Sequence, residues 1–181
     1  MTAHAQTNLI QNGDFRAGDA FPSGWKFESG AAETFEVRRV ANAMELRSLG
    51  ADTSGYLVQV VAVEPGAWYR LTVTLRQNGG RGLLWVNAKD AAQKPVTFDA
   101  REYVISFVGH PLVPRFVSKE LMRGSDSDEW REQSLEFFTR SSDTNAPPIA
   151  FAKVNIGCYF SVSQLWISQV SLIKLDRPAP E

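Results

Sequence analysis

The side chains best suited to holding a ligand sit at alternating positions in short apolar runs. In Leu83-Leu84-Trp85-Val86-Asn87, Leu84 and Val86 turn one way while Trp85 and Asn87 turn the other. Lys153 and Asn155 alternate likewise with Ala152, Val154 and Ile156, and Ser134 and Glu136 alternate with Leu135 and Phe137. Arg70, Thr72 and Arg76 alternate with Leu71, Val73 and Leu75. An indole plate beside planar amides and charged hydrogen-bonding groups is the chemistry that grips a sugar ring, which has one apolar face and a rim of hydroxyls. Tyr103 or Trp130, in an irregular stretch, could wall such a surface. The bland alternative is cross-strand ion pairing for Arg70, Glu136 and Lys153, and an indole covered by a loop for Trp85.

Bond-breaking chemistry has little to work with. The two histidines, His4 and His110, lie near the start of the chain and before Pro111. No Ser/His/Asp set, zinc-binding His pair or phosphate-cradling loop before a helix occurs. Asn78-Gly79-Gly80-Arg81-Gly82 falls between two strands and reads as a hairpin turn. A carboxylate pair such as Glu102 with Glu136 is the remaining route, to glycosidic cleavage. The single cysteine, Cys158, excludes an internal disulfide and reads as a buried, inert thiol.

Nineteen basic residues against twenty acidic ones leave a formal charge of −1, which gives no drive toward nucleic acid or anionic membrane. No run approaches the roughly 18 apolar residues of a membrane span. Ala3-His4-Ala5-Gln6 has the small-x-small form that precedes signal cleavage, which points to a secreted or cell-surface protein with Met1-Thr2 added for expression.

The elements that must position these residues are strands. Trp68–Arg76 alternates cleanly, between the turns at Glu64-Pro65-Gly66 and Asn78–Gly82. Further strands are expected at Thr34–Val40, Ala43–Ser48, Tyr56–Val63, Leu83–Asn87, Gln133–Thr139, Ile149–Ile156 and Leu165–Leu175. Asp90–Gln93 and Ser118–Arg123 are the only helix-like windows. Pro95, Pro111 and Pro114 interrupt residues 94–130, read as an elaborated loop or extra hairpin. A chain of 181 residues accommodates one such domain, expected over residues 8–175. Residues 1–7 are expected to be disordered or expression-derived, and residues 176–181 a tail or linker. The pattern predicts an all-β sandwich or barrel.

Three segments carry a resemblance. Asn8-Leu9-Ile10-Gln11-Asn12-Gly13-Asp14-Phe15 with Gly24-Trp25 resembles the N-L-x-x-N-G-x-F…G-W entry of galactose-binding-like jelly rolls. Gln59-Val60-Val61-Ala62-Val63-Glu64-Pro65-Gly66-Ala67-Trp68-Tyr69 resembles their Q-x-V-x-V-x-P-G-x-x-Y, and Ser163–Leu172 their closing strand. The family includes the carbohydrate-binding modules of bacterial xylanases, cellulases and laminarinases. The resemblance implies a jelly-roll β-sandwich of two antiparallel sheets with paired first and last strands, and it places Trp25 and Trp166 in the core.

Many of these modules hold calcium near the N-terminal loop, using a Glu directly after the motif Phe and an Asp in the final strand. Here those places hold Arg16 and Ser168-Gln169, so no metal cofactor is expected: the site is expected to be empty or replaced by a hydrogen bond from Arg16. If the strands share the family's concave sheet, Arg70, Arg76, Trp85, Asn87, Glu136, Lys153 and Asn155 assemble on one surface with Tyr103 or Trp130 beside it. The expected function is non-catalytic binding of a polysaccharide or oligosaccharide. Two alternatives remain: an assembly domain contacting other domains or subunits through residues 94–130, including Phe107, Val108, Leu112, Val113, Phe116 and Val117, or a small lyase or hydrolase.

Overall fold

A computed structural model describes residues 6–96, 116–123, 127–140 and 145–179. The strands are β1 (Lys26–Ser29), β2 (Phe35–Val40), β3 (Ala43–Ser48), β4 (Gly55–Ala62), β5 (Trp68–Asn78), β6 (Arg81–Lys89), β7 (Pro95–Val96), β8 (Phe116–Arg123), β9 (Ser127–Phe138), β10 (Phe151–Cys158) and β11 (Ser163–Leu175). A six-stranded antiparallel sheet runs β1-β4-β10-β6-β7, with β8 also paired to β6, and a five-stranded sheet runs β2-β3-β11-β5-β9. Among the described residues no helix is long and apolar enough to cross a membrane.

Alternation makes the core. Tyr69, Leu71, Val73 and Leu75 of β5 are buried while Arg70, Thr72, Thr74 and Arg76 between them are not. Leu135 and Phe137 of β9 and Leu165, Ile167, Val170 and Leu172 of β11 complete the five-stranded side of the core. Leu57 and Val61, Leu84 and Val86, and Val154 and Ile156 face them from β4, β6 and β10. Each such side chain contributes about 1.5–3 kcal/mol through burial. In β11 the apolar period slips by one between Ile167 and Val170, where the register with β5 shifts.

The first motif ties the start of the chain to its last strand. Leu9 N–H donates to the Leu172 carbonyl and Val170 N–H to the Gly13 carbonyl. The Asn8 side chain adds a donor to the Val170 carbonyl and accepts from Ile10 and Leu172 N–H. Gly13 is required because a Cβ there would lie 2.1 Å from the Val170 carbonyl oxygen. Phe15 and Trp25 are both buried, with ring centroids 5.1 Å apart. In the middle motif, buried Gln59 accepts from Gln11 N–H at 2.8 Å and donates to its carbonyl at 2.9 Å. The Tyr69 hydroxyl accepts from Glu64 N–H and so closes the Pro65-Gly66 turn.

Four expectations are corrected. Ser118–Arg123 belongs to β8, because backbone pairing with β6 overrides the helix-forming preference of Lys119-Glu120-Leu121-Met122. Asp90–Gln93 is a turn, closed by a bond from Gln93 N–H to the Asp90 carbonyl. The Gly79-Gly80 turn is no hairpin, because β5 and β6 belong to different sheets and the turn carries the chain between them. Trp25 is buried, but Trp166 lies outward on β11 between the buried Leu165 and Ile167.

Candidate functional site

The strands expected to share one surface divide between the two sheets. β5 and β9 carry Arg70, Arg76, Trp130 and Glu136 on the outer face of the five-stranded sheet. β6 and β10 carry Trp85, Asn87, Lys153 and Asn155 on the outer face of the six-stranded sheet. Alternation distinguishes inside from outside, but both outer faces look the same to it. Tyr103 and Glu102 lie outside the described residues, as do residues 107–113 of the supposed assembly patch; Phe116 and Val117 are described only as backbone of β8.

On the five-stranded face the candidates are already engaged with one another. Arg70 stands opposite Glu136 in the β5–β9 register and donates from Nε to its Oε1 at 2.8 Å. Arg177 of the C-terminal tail bonds the other carboxylate oxygen. Burial alone would raise the Glu136 pKa, but these two hydrogen bonds and charges hold it below the usual carboxylate value. A carboxylate bonded at both oxygens is poorly placed to transfer a proton. The Arg76 guanidinium lies 4.2 Å from the Trp166 ring centroid and 5.5 Å from that of Trp130, with Trp130 in the stretch of β9 where the register with β5 shifts.

The six-stranded face has a different character. Its cross-strand rows read Trp85–Asn155–Val58–Lys26, Leu83–Gly157–Tyr56–Glu28 and Asn87–Lys153–Val60. Tyr56, Val58 and Leu83 form an apolar floor against which half-buried Trp85 and Tyr159 pack. Tyr56 and Trp85 have ring centroids 4.4 Å apart, and burial raises the Tyr56 hydroxyl well above its ordinary pKa. Asn155 is only 2% exposed and donates from Nδ2 to Asn87 Oδ1 at 3.0 Å and to the Lys153 carbonyl at 2.9 Å. It therefore orients the rim amide rather than meeting solvent itself. Lys153 donates to Glu28 at 2.5 Å, a partially exposed ion pair beside that rim. Outside β6 runs β8, with Ser118 opposite Trp85 in register. Sequence reasoning missed Tyr56 and Glu28; the alternation of Tyr56 with buried Leu57 was the available signal for the first.

The N-terminal loop departs from the expected substitute for a metal. Arg16 pairs on the surface with Asp14 at 3.4 Å, and both side chains are more than half exposed. It is Arg39 of β2 that reaches the loop, donating to the carbonyls of Phe15, Arg16, Gly18 and Asp19.

No protein-family model matches the chain, and no curated protein matches it in sequence. Solved structures match over nearly its whole length. A candidate sugar-binding protein from Bacteroides thetaiotaomicron is 17% identical with a TM-score of 0.65, covering 93% of this chain and 100% of that one. TmCBM61, solved with β-1,4-galactotriose, is 15% identical with a TM-score of 0.53, covering 93% and 99%. The enzymatically active domain of bacteriophage CBA120 tailspike protein 4 is 15% identical with a TM-score of 0.63, covering 93% of this chain. This chain spans only 21% of that tailspike fragment. The fold is therefore the jelly-roll β-sandwich of carbohydrate-binding modules, found both as whole modules and as parts of enzymes.

Proposed function

We propose that this chain is a non-catalytic module that binds a polysaccharide or oligosaccharide, within a secreted or cell-surface protein. The outer face of the six-stranded sheet is its binding surface. The observation that carries the reading is the half-buried indole of Trp85, backed by Tyr56 and rimmed by Asn87 and the Lys153–Glu28 pair. An aromatic plate supplies the apolar contact a pyranose face needs, and the rim supplies donors and acceptors for its hydroxyls. Asn155 fixes the amide of Asn87 before any ligand arrives, which lowers the ordering cost of binding. The galactotriose bound to TmCBM61 makes β-1,4-galactan a sensible first ligand.

The test is tryptophan fluorescence titrated with soluble galactan, xylan, β-glucan, mannan, pectin and alginate. A saturable change with one polymer is expected, weakened about tenfold or more in Trp85→Ala. Asn87→Ala, which leaves the aromatic floor in place, should weaken the same ligand with its fold intact. Silence from the wild-type protein across the panel would remove this reading in favour of protein assembly.

A further inference from the structure

The fold family's calcium site and this chain's residues disagree, and the disagreement has a structural answer. Calcium takes six to eight oxygen ligands, usually with carboxylates among them. The two family carboxylates are replaced here by Arg16 and Ser168-Gln169. Of the acids in the loop, Asp14 is paired with Arg16, and Asp19 offers Arg39 its backbone carbonyl. Among the described residues no group of three or more His, Cys, Asp or Glu is placed to hold a metal.

The loop is nevertheless folded as if around a cation. Asn12 and Phe15 have φ of 49° and 58°, left-handed values that a side chain adopts only at a cost, and Gly18 has φ of 100°. The Asn12 side chain ties down part of the turn, donating to the carbonyls of Ala17 and Ser23 and accepting from Ala17 N–H. Another set of oxygens converges on Arg39: Nη1 lies 3.4 Å from the Phe15 carbonyl, 3.3 Å from that of Arg16 and 2.8 Å from that of Gly18, and Nη2 lies 2.9 Å from that of Asp19. Arg39, partly exposed, shares its side of β2 with buried Phe35, so the edge strand carries a cation across to the loop carbonyls. A guanidinium has five N–H donors in a fixed plane and stays charged at every physiological pH, so one side chain can serve several carbonyls at once.

We infer that Arg39 replaces the calcium ion of the fold family, holding the N-terminal loop with a covalently tethered charge. The loop then needs no divalent cation.

Thermal unfolding followed by circular dichroism tests this. The wild-type midpoint is expected to be the same in EDTA and in millimolar calcium chloride. Arg39→Ala is expected to lower it by roughly 5–10 °C, and Arg39→Lys to recover part of the loss, since one ammonium cannot span the same oxygens. Amide hydrogen exchange gives a second readout that does not require Arg39→Ala to fold: in Arg39→Lys, faster exchange is expected across residues 12–24 while the β5–β11 ladder stays protected. A wild-type midpoint that falls in EDTA and returns with calcium would overturn the inference. So would an Arg39→Ala protein that melts with the wild type, or unchanged loop exchange in Arg39→Lys.

Discussion

Tyr56 and Trp85 belong to strands that are not neighbours, yet their rings meet at 4.4 Å across β10. Gly157 lies between Tyr56 and Leu83 in the register, so β10 contributes no side chain to that row of the outer face. The same glycine allows β10 and β4 to approach closely, since a Cβ on it would lie 2.0 Å from the Gly55 carbonyl oxygen. Gly157→Ala is therefore expected to cost about 2 kcal/mol or more, seen as a lower urea midpoint, and to weaken ligand binding by disturbing the aromatic floor.

Stability should depend on pH through two carboxylates on the opposite face. Glu45 is 3% exposed, and burial opposes its charge, but hydrogen bonds from Arg38 and Gln164 and the charges of Arg38 and Arg47 outweigh it. Its pKa, like that of Glu136, is lowered on folding. A lowered carboxylate contributes stability above its unfolded pKa, and that contribution is lost as pH falls through the folded value. Urea midpoints are expected to be flat from neutrality to about pH 5 and to fall below about pH 4. Glu45→Gln should make the acid limb shallower.

Cys158 lies wholly inside, and burial pushes its thiol up to about 11. A thiol so protonated is a poor nucleophile. Ellman's reagent at pH 8 is expected to titrate it only in denaturant, and native reaction at the rate of a free thiol would show that the sandwich opens around β10.

Gln59 spans the two ends of the first and middle motifs through its paired bonds to Gln11. Gln59→Ala removes both bonds and leaves the backbone N–H and carbonyl of exposed Gln11 without those partners. A loss of roughly 1–3 kcal/mol is expected, with hydrogen exchange accelerated first in residues 8–13.

Much of this architecture is written in local alternation. Trp68–Arg76 reads as a half-buried strand from its own residues, and the segments at Asn8–Phe15 and Gln59–Tyr69 have jobs that the structure names one by one. What alternation cannot express is which sheet a strand joins, and on that the grouping of Arg70 and Glu136 with Trp85 and Asn155 failed. Trp166 was misplaced for the opposite reason: its own neighbours, Leu165 and Ile167, point it outward, against the position implied by the resemblance. Arg39 was invisible because its partners are carbonyls, which every residue possesses. The only local clue was a cation on the same parity as Phe35 and Val37.

The order of strands within the five-stranded sheet has a consequence for biosynthesis. Its central strand, β11, is also the last in sequence, and β3 and β5 both pair with it. As the chain leaves the ribosome, those two strands therefore have open edges until the final 13-residue strand arrives. The first residues wait as well, since Leu9 and Gly13 take their backbone partners from Leu172 and Val170. The sandwich is therefore completed only when β11 has formed, closing β3, β5 and the Leu9–Gly13 segment together.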